Sequence, residues 1–125
     1  MANVRSAKAK GRTGQQEIRD KLYALFPQLE EGDIKSAIMG EGGADIQLSP
    51  AAHKLMPISI EVKRRKTGMK TQYDWVQQAR SHTMDPPVVF FRADRSEWLV
   101  ITPVDHYLEL LKVWKDAKKD QEPSK

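Results

Sequence analysis

The sequence predicts an α/β domain in which a mixed central sheet of about five strands is flanked by helices. Three observations predict it. Ile18, Leu22, Leu25 and Phe26 recur at helical spacing. Ile58, Ile60 and Val62 alternate with Ser59, Glu61 and Lys63 at strand spacing. Two apolar runs, 88–91 and 97–101, lie on either side of a polar turn. With the remaining segments, the order reads helix, three strands, helix, two strands, helix.

Residues 1–12 lack apolar periodicity and are expected to be a flexible basic arm that orders on a nucleic acid. Thr13 with Gln16 three positions on resembles a capping box, which starts the first helix at about residue 14; Pro27 closes it after Phe26. A first strand is expected over 33–39 and a second over 44–48, bounded by Gly42 and Gly43 before and Ser49 and Pro50 after. The glycines at 40, 42 and 43 permit a tight turn or close backbone approach to a ligand, although no lysine–serine/threonine pair follows as a nucleotide loop requires. Residues 49–57 read as a connection, with His53 a surface histidine that has no partner at ligand spacing.

The third strand, 58–63, points Ile58, Ile60 and Val62 into a core and Ser59, Glu61 and Lys63 to the other side. A basic, glycine-containing loop follows over 64–72, then a second helix over 73–82 with Trp75, Val76 and Ala79 as its apolar positions. Asp85, Pro86 and Pro87 break that helix. The run 88–91 reads as a buried strand that returns through 97–101 as a hairpin; Arg92 and Arg95 in the turn are either ordinary turn residues or phosphate contacts. Thr102 and Pro103 start a last helix whose face, Val104, Tyr107, Leu108, Leu111 and Trp114, covers the sheet or makes a dimer contact. The domain is thus placed at 13–116, with a charged tail over 117–125.

At 125 residues the chain is sized for one core. It has no cysteine, which fits a reducing compartment and excludes disulfides and thiolate-bound zinc. No apolar run approaches the length of a membrane span or signal peptide, so a soluble cytoplasmic protein with no membrane partner is expected. The distribution of the +4 net charge says more than its size. Arg5, Lys8, Lys10 and Arg12 face no acid in the first 12 residues and account for all of it; the remaining residues balance, 17 basic against 17 acidic. Lys63, Arg64, Arg65, Lys66 and Lys70 form a second basic cluster. Such clusters attract polyanions and make binding salt-dependent.

If the second and third strands pair, Asp45 lies beside Glu61, with Lys63 two residues on. Converging carboxylates repel unless a cation sits between them. Hard oxygen ligands suit Mg²⁺, with Mn²⁺ as substitute, leaving places for water and a substrate phosphate. A lysine beside that shell can orient the attacking water and meet charge developing on the phosphate. The chemistry implied is metal-assisted phosphodiester hydrolysis, with no small-molecule cofactor.

The glycine-flanked Asp45-Ile46 followed by Glu61-Val62-Lys63 resembles the core motif of the PD-(D/E)xK nucleases, with Ala44 where the motif's name has proline. A wider pattern, Glu17 on the first helix, SAIMGEGGADI, IEVKRRK, WVQQA and PVVFFRADRSEWLV, is similar to the Holliday junction resolvase branch, in particular bacteriophage resolvase-like endonucleases, over roughly residues 8–112. The resemblance implies a restriction-endonuclease-like core, metal binding by Asp45, Glu61 and Glu17, catalysis by these three with Lys63, and cleavage to a 5′-phosphate and a 3′-hydroxyl. From the residues alone, Glu17 reads as an exposed glutamate favoured near a helix amino terminus. The resemblance also directs Gln78 toward substrate or the catalytic lysine, against a solvent-facing reading, and gives Ser36 a functional role where a strand serine is usually structural. Contacts to DNA are expected from Lys8, Lys10, Arg12, Arg64, Arg65 and Lys66.

A junction resolvase makes two symmetric incisions, so a homodimer acting on branched DNA in the cytoplasm of a bacterial host is expected. The alternatives are a nickase or single-strand or duplex nuclease of the same fold, and a DNA-binding module without catalysis.

Overall fold

The computed structural model describes residues 4–36 and 45–121. The second half of the expected first strand, the glycines at 40, 42 and 43, Ala44, and the end of the tail lie outside the described residues. The chain divides into two compact units, Met1–Lys66 and Thr67–Lys125.

The first unit contains α1 (Val4–Leu25), β1 (Ile34–Ser36), β2 (Ile46–Leu48) and α2 (Pro50–Leu55). α1 begins at Val4, ten residues before its expected start, and runs through Thr13, which is therefore mid-helix and not a cap. Alanines, lysines and arginines over 5–12 are good helix formers, and their propensity carries the helix back past the glycines at 11 and 14. The apolar stripe then does as its spacing requires. Leu22 and Phe26 are buried with Ile34 of β1, Ile46 of β2, and Ala52 and Met56 at α2.

β1 and β2 pair antiparallel, Ile34 opposite Leu48 and Ser36 opposite Ile46. Two polar side chains fix how the surrounding elements meet this ribbon. The Tyr23 hydroxyl accepts the Ile34 N–H at 3.0 Å and has the Glu30 and Ile34 carbonyl oxygens at 3.2 and 3.1 Å. Asp33 closes the 30–33 turn, accepting the Glu30 N–H at 2.7 Å; Gly32 in that turn has φ +91°, where a side chain is strained. Its other carboxylate oxygen accepts the Ser49 hydroxyl at 2.8 Å, and Ser49 in turn caps α2 by accepting the Ala52 N–H at 3.1 Å. Ser49 followed by Pro50 is a helix-start signal, and 49–57, expected as a connection, holds α2 for that reason.

The second unit contains α3 (Lys70–Arg80), β3 (Val89–Phe91), β4 (Leu99–Ile101) and α4 (Val104–Gln121). α3 buries Val76 and stacks Trp75 on Phe91 of β3, ring centroids 5.2 Å apart. It starts three residues before the expected helix, after Met69 in the left-handed region. β3 and β4 form the expected antiparallel hairpin, with Phe90 opposite Val100. The Thr102 hydroxyl closes its base on the Pro87 carbonyl at 2.7 Å. The run 88–91 is not the buried strand its composition predicts: Phe90 is 67% exposed and Val88 37%. In α4 the apolar face buries Leu111, while Val104, Tyr107 and Trp114 stay about 40% exposed. Among the described residues no helix is long and apolar enough to cross a membrane.

The predicted mixed sheet of about five strands is not formed. The described residues hold four helices and two separate two-stranded antiparallel sheets, β1–β2 and β3–β4. The segment 58–63 explains most of the difference. It keeps the predicted alternation, with Ile58, Ile60 and Val62 half-buried and Ser59, Glu61 and Lys63 exposed, but makes only one bridge, Ile60 to Ile46. Its donors are spent elsewhere. Pro57 has none, the Ile58 N–H closes a tight turn on the Met56 carbonyl at 2.8 Å, and the Val62 N–H goes to a side chain at 2.7 Å. Local bonds of this kind compete with a ladder and here stop it. The hairpin is cut short by similar means, since Pro87 and Pro103 bound it and Arg92 Nε bonds the Ser96 carbonyl inside its loop at 2.9 Å.

Ser49→Ala should cost about 1 kcal/mol of stability through loss of the α2 cap, read as a lowered denaturant midpoint. The Glu30 N–H, and after it the Ser49 hydroxyl, holds the Asp33 carboxyl below its ordinary value. A depressed pKa stabilises above the ordinary value, and the contribution is lost as pH falls through the folded one. The stability gap between the native protein and Asp33→Asn should therefore be full near neutrality and close below roughly pH 4.

Candidate functional site

The residues singled out for chemistry meet in the first unit, where the start of β2 comes against the segment after α2. The bridge between Ile46 and Ile60, with the Ile46 N–H 3.4 Å from the Ile60 carbonyl, sets the two stretches side by side. One residue earlier, Asp45 Oδ2 accepts the Val62 N–H at 2.7 Å. The Asp45 carboxylate therefore lies on the peptide that joins Glu61 to Val62. A carboxylate accepting a backbone N–H is a strong hydrogen bond, and it leaves Oδ1 with acceptor capacity of its own.

Glu61 and Lys63 emerge together on the exposed side of this segment, as residues two apart in extended chain must. Lys63 Nζ stands 3.8 Å from Glu61 Oε2, with both side chains more than half exposed. Such a pair contributes little to stability. Its significance is positional: the pair flanks the peptide on which the Asp45 carboxylate lies.

α1 reaches the same place through Gly14, which is buried. A Cβ there would stand 3.1 Å from Arg64 Cβ, 3.3 Å from Arg64 Cδ and 3.4 Å from Val62 Cγ1. The helix thus packs closely on the Val62 and Arg64 side chains because residue 14 has none of its own. Glu17 is the next residue but two along α1, on the side of Gly14, and is exposed. Among the described residues no group of three or more Asp, Glu or His side chains converges to hold a metal ion, so Glu17 does not join Asp45 and Glu61 in one ligand cluster. Two carboxylates remain, and two are enough for magnesium, which usually keeps several waters and adds substrate phosphate oxygens.

The basic residues divide by location. Arg64, Arg65 and Lys66 are exposed directly after Lys63. Lys8, Lys10 and Arg12 lie on α1, Lys10 half-buried and Arg12 exposed. Gln78 belongs to the second unit, exposed on α3. Ser36, opposite Ile46 in the β1–β2 register, has a buried hydroxyl without a hydrogen-bond partner among the described residues. His53 is exposed on α2.

Gly14 escapes a reading of spacing because a glycine inside a helix carries no sign of what crosses it. The bond between Asp45 and Val62 is equally silent, since its partners lie 17 residues apart. Comparison with protein-family models, curated proteins and solved structures finds no match to this chain.

Replacing Asp45 separates structure from chemistry. Asp45→Ala should destabilise the protein by about 1–3 kcal/mol by stranding the half-buried Val62 N–H. Asp45→Asn keeps an acceptor for it and should retain most of that stability, as chemical unfolding of both variants would reveal.

Proposed function

We propose that this chain is a divalent-metal-dependent endodeoxyribonuclease that hydrolyses phosphodiester bonds in branched DNA, four-way junctions above all, acting as a homodimer in the cytoplasm. The observation that carries the proposal is the Asp45 carboxylate on the Val62 N–H, beside Glu61 and Lys63. That arrangement supports the motif resemblance independently of the predicted sheet, which is absent.

Asp45 and Glu61 would hold Mg²⁺, and the bound ion supplies polarisation of a phosphoryl oxygen and a lowered pKa for water. Lys63, exposed beside Glu61, would orient that water and meet the negative charge growing on the phosphate oxygens. The hydrogen bond from Val62 keeps the Asp45 carboxylate from turning away when the site is empty of substrate. Arg64, Arg65 and Lys66 follow Lys63 directly in the exposed segment and hold the scissile backbone by its phosphates. Two incisions on opposite strands need two such sites related by a two-fold axis, which a second copy provides.

A second reading has its own support. Glu61 paired with Lys63, and no third acidic ligand among the described residues, suit a DNA-binding module without catalysis.

Incubation of labelled four-way junction, duplex and single strand with and without Mg²⁺ distinguishes them. The expected outcome is Mg²⁺-dependent, symmetric cutting of the junction, reduced at least about 10²-fold in Glu61→Gln and in Lys63→Ala, the scale on which one charge-stabilising group matters. Duplex or single-strand cutting would reassign the substrate, and binding without any Mg²⁺-dependent cleavage would establish the module.

A further inference from the structure

The basic residues of α1 and those after Glu61 are separate clusters in the sequence, and the crossing at Gly14 brings part of them together. α1 turns 3.6 residues per turn with a pitch of roughly 5.4 Å, so residues four apart share a face and residues two apart lie nearly opposite. Lys10 therefore sits one turn before Gly14 on the face that meets Val62 and Arg64, and is half-buried. Arg12, between them in sequence, is exposed and projects from the far side. Arg64 lays its Cβ and Cδ across Gly14, so its stem is packed on the helix while its charged end continues to the surface.

We infer that Lys10 and Arg64 form one phosphate-binding strip across α1, with Gly14 as its joint, which carries a DNA backbone toward the Asp45–Glu61 pair. The inference rests on the reading of this site as one that acts on DNA, and it names which of the flanking cations do the holding. Arg65 and Lys66 prolong the strip away from the helix. Arg12 lies off it, despite carrying the same charge two residues from Lys10. Gly14 is a positioning residue: a Cβ there already stands 3.1 Å from Arg64 Cβ, and a side chain as large as leucine displaces Arg64 from α1 and parts the two cations.

The test measures binding of the full chain to four-way junction and to duplex in EDTA, where no cutting occurs, across a range of salt concentrations. Each phosphate contact contributes about 0.9 to the slope of log K against log salt on duplex DNA. Lys10→Ala and Arg64→Ala should each lower the slope by about that amount, their double variant by about twice as much, and Arg12→Ala should leave it unchanged. Gly14→Leu should lower the slope as the double variant does, while Gly11→Leu, where an added Cβ meets nothing within 4 Å, leaves it at the native value with equal helix content by circular dichroism. An Arg12→Ala slope that falls with Lys10→Ala, or equal slopes for the two leucine variants, overturns the strip. Should Gly14→Leu fail to fold, the comparison of positions 10, 12 and 64 decides alone. Absence of any DNA binding by the native chain removes the DNA reading and the strip together; binding with unaltered slopes removes only the strip.

Discussion

A single hydrogen bond, from the Val62 N–H to Asp45 Oδ2, organises the first unit around its charged centre. It does two things that oppose each other in ordinary sheets. By taking the donor that a neighbouring strand would use, it ends the ladder after one bridge. By the same act it holds a carboxylate against the peptide that carries Glu61, with Lys63 on the same side. The regular structure lost and the polar constellation gained are consequences of one contact.

The charge pattern around this point explains why the centre lies open to solvent. Glu61, Lys63, Arg64, Arg65 and Lys66 are all exposed, so none bears the desolvation cost of a buried ion. Their value lies in what they attract. Basic clusters of this kind attract polyanions in general. The core that supports this surface is small and apolar, with Phe26, Ile34, Ile46 and Met56 closed from water beneath it.

Much of this was legible in the residues, and the boundary of legibility is physical. Alternation along 58–63 correctly assigned faces, because side-chain direction in extended chain follows from local geometry whether or not a ladder forms. The hairpin of β3 and β4 was legible for the same reason, its turn being local. The number of strands in a sheet is a different kind of quantity, since it depends on where each N–H finds its acceptor. Val62 finds a side chain 17 residues away, and no spacing rule announces that. Phe90 and Val100 show the complementary failure: an apolar run was read as buried, while the ribbon that carries it exposes both. α2 was missed, its segment being read as a connection, although Ser49 and Pro50 carry the capping chemistry that starts it.

The Tyr23 hydroxyl is engaged with the backbone of Ile34 and lies near the Glu30 carbonyl. Its influence is mechanical and travels. A helix is a stiff rod, and fixing one side chain at its carboxyl end sets the azimuth of every residue upstream. Gly14 stands nine positions away, roughly 13.5 Å along the axis at 1.5 Å per residue. The phenol thus acts as a spline on a shaft: it decides which generator of the cylinder faces the Val62 and Arg64 side chains, so that the bare glycine, and no bulkier neighbour, arrives at the crossing.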